Sequence, residues 1–167
     1  VLFSNSLRSV SPDVAREIFS SVGPFTTTVA VTNSKDPRHI EEILALHPCA
    51  VQVPGDADIP PAAVHVIRAY APGETPKKMC DAVIVDGSHG RGTPFDPAFV
   101  KRLMEESPVP VILAGGLNPE NVGDALSSIT PYAVDVASGV ESGPGIKDPL
   151  KIIAFAKACR RCAHVDI

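Results

Sequence analysis

The chain has 167 residues, 44% of them apolar and 20% charged, with a formal net charge of −4. That places it as one ordinary globular domain, 1–167, and excludes a disordered or low-complexity chain. Its 15 Lys and Arg residues are scattered, which argues against a nucleic-acid surface. No run reaches the roughly 18 apolar residues of a membrane span, and no basic segment leads into an apolar one, so a cytoplasmic protein without membrane contact is expected.

Short β-branched runs alternate with helical patterns along the chain. Val1 to Phe3 predicts a strand, and Ser11-Pro12 then starts a helix with Val14, Ile18 and Phe19 on one face. A strand over Thr26 to Val31 leads to Asp36-Pro37 and a helix carrying Ile40, Ile43 and Leu44. Strands over Ala50 to Val53 and Val64 to Ala69 follow. The stretch between them, from Pro54 through Pro61, is too short and proline-rich for a crossover helix and predicts a loop or single turn. The segment from Pro72 to Lys78 leaves room for only a short helix before a strand over Ala82 to Val85. Asp96-Pro97 starts a helix with Phe99, Val100, Leu103 and Met104 inward. A strand over Val109 to Ala114, a helix from Asn118-Pro119 with Val122, Ala125 and Leu126, and a strand over Ala133 to Ala137 come next. Asp148-Pro149 opens the last helix, with Ile152, Ile153 and Ala156 on one face. In each capping dipeptide the Ser, Asp or Asn accepts a bond from the first turn, and Pro occupies a position whose N–H has no helical acceptor. Continuous apolar strands separated by helices indicate a parallel α/β fold, either an open doubly wound sheet or a closed barrel.

The cysteines, Cys49, Cys80, Cys159 and Cys162, are expected as reduced thiols. Cys159 and Cys162 form a C-x-x-C, but two ligands do not close a zinc site, and no metal site is expected.

Chemistry concentrates at the strand exits. Gly115-Gly116 between a strand and a helix lets backbone approach a ligand, and free N–H groups there favour an anion; the bland alternative is a tight turn. The next strand exits through Asp135, Val136, Ala137, Ser138 and Gly139. Two adjacent exits of this kind match the phosphate site that barrels place after their last strands. Asp86 ends its strand run as either a general acid or a cap, and His89 nearby is a second titratable group or a solvent-facing loop residue. Arg8 suits a carboxylate ligand through paired hydrogen bonds, with a solvated surface Arg as the alternative.

These residues resemble the phosphoribosylanthranilate isomerase family. The most specific pieces are Ile112-Leu113-Ala114-Gly115-Gly116-Leu117-Asn118-Pro119-Glu120-Asn121-Val122, then Val134 through Ser142, and Pro144-Gly145-Ile146-Lys147-Asp148. Support comes from Arg8-Ser9-Val10-Ser11-Pro12, Val51-Gln52, Gly55-Asp56, and Asp86 followed by Gly90 and Gly92. The resemblance implies an α/β fold of the (βα)8 TIM-barrel type, here incomplete, with seven strands visible and the first βα unit missing. It implies an Amadori rearrangement of a phosphoribosyl substrate in tryptophan biosynthesis without a cofactor. Asp86 would be the general acid. Arg8 would grip the anthranilate carboxylate, with Gln52, Gly90, Gly92 and Asp135 as further substrate contacts. Gly115, Gly116, Ser138 and Gly139 would hold the phosphate. The family's base, a cysteine in a Lys-x-Cys-Gly motif, has no counterpart in these 167 residues, so little turnover is expected of the chain alone. The alternative is a non-catalytic phosphate-sugar binding protein or a partner subunit. The expected assembly is a monomer or homodimer, with edge pairing as one solution for the missing strand.

Overall fold

The computed structural model describes residues 2–4, 6–71, 74, 78–86 and 97–162. They fall into two compact units, the first Val1–Tyr70 with Thr75–Val83, the second Ala71–Glu74 with Ile84–Ile167.

In the first unit β1 (Leu2–Phe3), β2 (Val29–Thr32), β3 (Ala50–Pro54) and β4 (His65–Tyr70) pair in parallel in chain order. The register sets Phe3 opposite Thr32, Val31 opposite Gln52 and Val53 opposite Arg68. Helix α1 (Pro12–Ser21) follows β1, and α2 (Pro37–Leu44) follows β2. Both begin as the capping dipeptides predict. Ser11 Oγ accepts from Val14 N–H at 3.4 Å, and Asp36 Oδ1 accepts from Arg38 N–H at 3.0 Å. Fully buried Ile40, Val51 and Val53 centre the core, each removing a side chain from water at a gain of roughly 1.5–3 kcal/mol.

The α1 face differs from expectation. Val14 and Ile18 are exposed, and the residue turned fully inward is Ala15. Ala15 and Phe19 sit four apart and face the core together, which leaves Val14 and Ile18 about 100° round the helix on its flank. The connection from β3 to β4 has no helix, in line with its proline content.

β5 (Ala82–Asp86) spans the boundary between the units and ends in the second. There α3 (Pro97–Glu106) precedes β6 (Val111–Ala114), which pairs in parallel with β7 (Ala133–Val134) across α4 (Val122–Ser128). β7 is three residues shorter than the predicted Ala133–Ala137 run, because the chain turns after Asp135 into a short 3-10 segment, Ser138–Val140. An antiparallel hairpin, β8 (Glu141–Gly143) with β9 (Ile146–Lys147), then leads to α5 (Pro149–Cys162). This hairpin is absent from the sequence expectation. On α5 the buried residue is Phe155, while Ile152 and Ile153 are exposed. Val100, Leu113, Val122, Ala125 and Phe155 belong to the core of this unit. The four cysteines are free thiols, with Cys159 and Cys162 on α5.

Candidate phosphate-binding and catalytic site

The exits of β6 and β7 build the most developed site. After Ala114 the chain reverses through Gly115 and Gly116, whose φ angles of 94° and 65° lie in the left-handed region that strains any residue with a Cβ. The turn is fastened by two asparagines. Asn118 Oδ1 accepts from the N–H groups of Glu120 and Asn121, each at 2.9 Å. Asn121 in turn accepts from Asn118 N–H at 2.8 Å through Oδ1 and donates from Nδ2 to Gly116 O at 2.9 Å.

This interlock corrects the predicted helix start. Asn118 does cap a turn, and Val122 N–H bonds Asn118 O at 3.1 Å, but α4 begins at Val122 and has seven residues. The N–H groups of Glu120 and Asn121 are engaged by Asn118, so they do not contribute to anion binding.

On the neighbouring strand Asp135 N–H bonds Leu113 O at 2.8 Å, extending the β6–β7 pairing one residue further. The following loop presses its Gly139 directly against the first loop. A Cβ on Gly139 would overlap the Leu117 carbonyl oxygen and crowd Asn118 Cα. Only glycine allows that approach, which sets the Ser138-Gly139 loop against the segment that follows Gly115-Gly116. The N–H groups of Gly116, Ser138 and Gly139 have no acceptor among the described residues, which suits a multiply charged anion.

Asp86 and Asp135 lie at the ends of their strand runs in the same unit, and Asp86 is exposed. Asp135 is exposed, yet protein packed around it withdraws water from its carboxyl. That partial desolvation pushes its pKa upward; the Lys147 ammonium pulls it down, and the Asp86 charge pushes it up. The two carboxylates are thus within electrostatic reach of one another.

Arg8 and Gln52 belong to the first unit. Arg8 is half-buried in the turn after β1, with its backbone N–H donating to Ser6 Oγ at 3.2 Å. Gln52 is half-buried on β3 between Val31 and Ile67. Gly90, Gly92 and His89 lie outside the described residues. A cavity of about 360 Å3 in the first unit is lined in part by Phe3, Ser9, Asn33 and His39, and none of the predicted site residues is in its lining. No group of three or more His, Cys, Asp or Glu residues that could hold a metal ion occurs among the described residues. Likewise, no described helix is long and apolar enough to cross a membrane.

Sequence reasoning missed two features. Arg68 is buried on β4. Glu141 and Lys147 form an ion pair across the β8–β9 hairpin at 3.1 Å. The Pro144-Gly145 dipeptide, with Gly145 at φ 78°, was the available sign of the hairpin turn.

A family model described as N-(5'phosphoribosyl)anthranilate (PRA) isomerase matches residues 1–158. A curated N-(5'-phosphoribosyl)anthranilate isomerase from Methanoregula boonei is 50% identical over 167 residues, spanning 98% of this chain and 85% of that protein. The crystal structure of phosphoribosyl anthranilate isomerase from Thermus thermophilus superposes with a TM-score of 0.78 at 29% identity, covering 96% of this chain and 86% of that one. A phosphoribosyl anthranilate isomerase crystallised with reduced 1-(o-carboxyphenylamino)-1-deoxyribulose 5-phosphate superposes with a TM-score of 0.75 at 27% identity, covering 96% and 85%. The α/β fold is therefore that of the family's TIM-type structures. Since the matched span contains both glycine loops and all the strand-end acids, the chain belongs to the N-(5'-phosphoribosyl)anthranilate isomerase family.

Proposed function

We infer that this chain serves the isomerase step of tryptophan biosynthesis, converting N-(5'-phosphoribosyl)anthranilate to 1-(2-carboxyphenylamino)-1-deoxyribulose 5-phosphate. The single observation that supports the reading at the site is the contact of Gly139 with Leu117, which sets the two glycine loops side by side; we read them as one phosphate cradle. The seven strands β1–β7 are read as members of one (βα)8 barrel in a single domain, acting in the cytoplasm.

The reaction is redox-neutral and moves only protons. An acid protonates the ribose ring oxygen, the C1–O bond breaks, and the anilinic nitrogen takes up the positive charge as an iminium. A base then removes the C2 proton, and the resulting enol-amine becomes the ketose. Asp86, at the end of β5, is assigned the acid. Arg8 is assigned the anthranilate carboxylate, which a guanidinium matches with two parallel hydrogen bonds. Gln52, Gly90, Gly92 and Asp135 are assigned to the rest of the substrate, and Gly115, Gly116, Ser138 and Gly139 to the phosphate. A second reading, a phosphate-sugar binding protein, would use the same glycine loops for the phosphate without acid–base chemistry at Asp86.

Titration with the reduced 1-(o-carboxyphenylamino)-1-deoxyribulose 5-phosphate tests the site, and loss of substrate fluorescence tests turnover. Saturable binding is expected, and its absence would overturn both readings. Asp86→Asn should lower whatever turnover the chain shows by about 10²–10⁴ while leaving binding within about threefold. Unchanged turnover would remove Asp86 as the acid. Binding with no fluorescence loss selects the second reading.

A further inference from the structure

The assigned roles leave out a buried acid and the lysine that holds it. Glu141 opens β8 with its side chain only 4% exposed, and Lys147 faces it across the hairpin, Nζ to Oε1 at 3.1 Å. A carboxylate taken out of water is costly unless it is paired, so this one needs its partner. The same Lys147 Nζ donates to Ala137 O at 2.7 Å. A third tie comes from the next helix, where Lys151 Nζ donates to Glu141 O at 2.7 Å.

The bond to Ala137 O reaches the phosphate loop through the peptide plane. A trans peptide is rigid and its C=O and N–H point in opposite directions, so fixing one fixes the other. Ala137 O turned toward the Lys147 ammonium sets the Ser138 N–H to point away from it. Ser138 N–H is one of the donors that have no acceptor among the described residues. Its aim is thus set by a charge pair that need not touch the ligand.

We propose that Glu141 and Lys147 are a positioning pair: the buried carboxylate holds the ammonium, the ammonium holds the Ala137–Ser138 peptide, and that peptide presents the Ser138 N–H to the phosphoryl group. The inference rests on the reading of the two glycine loops as a phosphate site. It makes a demand that reading does not, since a surface lysine acting only by its own charge would serve better without Glu141 beside it.

The test is calorimetric titration of the full chain with inorganic phosphate and with reduced 1-(o-carboxyphenylamino)-1-deoxyribulose 5-phosphate, with the Tm of each variant recorded. Lys147→Met should weaken both ligands about tenfold, the scale of one charge-assisted hydrogen bond. Lys147→Arg should restore most of that loss. Glu141→Gln should weaken binding in the parent and add little in the Lys147→Met background. Tighter binding in Glu141→Gln would overturn the proposal in favour of direct attraction by Lys147. Parent-like affinity in Lys147→Met, with or without a lower Tm, would overturn it as well. If the unmodified chain binds neither ligand, the phosphate-site reading itself falls and takes this proposal with it.

Discussion

Two strand exits, one in each unit, show how the same topological position can be closed or left open. After β3 the chain runs through Gly55 to Ala57, and its carbonyls are gathered by buried Arg68. Nη1 donates to Gly55 O at 3.1 Å and to Ala57 O at 2.9 Å, and Nε donates to Met79 O at 3.1 Å. Tyr70 adds a hydroxyl bond to Gly55 O at 3.2 Å, and Lys35 pairs with the exposed Asp56 at 2.8 Å. The Asp56 carbonyl between Gly55 and Ala57 accepts from Lys78 Nζ at 2.7 Å, so this loop is closed by side chains of its own unit and serves as structure. After β6 and β7 the polarity is reversed: the groups in excess are N–H donors, and no side chain among the described residues accepts from them. The Gly116, Ser138 and Gly139 N–H groups, without an acceptor among the described residues, are the donors proposed for an anion.

The largest expected effect breaks the closed exit. Arg68→Met removes the donor to the Gly55 and Ala57 carbonyls, in a loop that has no helix to replace it, and to the Met79 carbonyl beyond β4. Charge-assisted bonds are each worth about 1.5–3 kcal/mol, so a loss of about 3–5 kcal/mol is expected in urea or thermal unfolding. Where the variant is still folded, its affinity for the reduced product analogue should stay within about threefold of the parent. Neutral stability would mean that Arg68 does not hold this loop.

Breaking the open exit should cost binding more than folding. A methyl group at Gly139 meets backbone, the Leu117 carbonyl and Asn118 Cα, so no side-chain rotation relieves it. At Gly55, by contrast, the added carbon would meet the Tyr70 ring, a side chain. Gly139→Ala should therefore spread the two loops, weakening phosphate and product-analogue binding by about 100-fold, with about 1–3 kcal/mol of overpacking cost in stability. Parent-like binding would separate the loops functionally and remove the basis for a single cradle.

The two exits were not equally legible in the sequence. The open one could be read because glycine pairs, a strand-ending Asp and a capping Asn-Pro are local signals, each interpretable within a few residues. Asp36-Pro37 and Ser11-Pro12 were legible for the same reason. The closed exit was only half legible. Prolines from Pro54 to Pro61 excluded a helix, but an Arg in a strand reads as a surface residue. Its burial depends on acceptors 11 and 13 positions away in sequence. Lys147 has the same character, since its partners at Glu141 and Ala137 are reached only once the hairpin forms. The α1 face was misjudged through a different cause: Val14, Ile18 and Phe19 outweigh Ala15 in hydrophobicity, while close helix–sheet contact selects the small residue.

The smallest expected effect sharpens the contrast, because the open exit also holds a carboxyl in an unfavourable place. Desolvation and the Asp86 charge raise the Asp135 pKa above its unfolded value, against the pull of Lys147. Between the unfolded and folded values the native state binds more protons than the unfolded state, so stability falls as pH rises through that window. Below both values the carboxyl is protonated in either state and the contribution vanishes. Asp135→Asn removes the titration. Its Tm should gain on the parent as pH rises from about 4, the ordinary carboxylate range, and the gain should level off once the parent carboxyl is ionised. Adding Lys147→Met to the parent should enlarge the pH-dependent gap, since the ammonium that favours the ionised form is gone. A Tm difference independent of pH would show that Asp135 is not held in its acid form by its surroundings, and the open exit would then differ from the closed one in its unpaired donors alone.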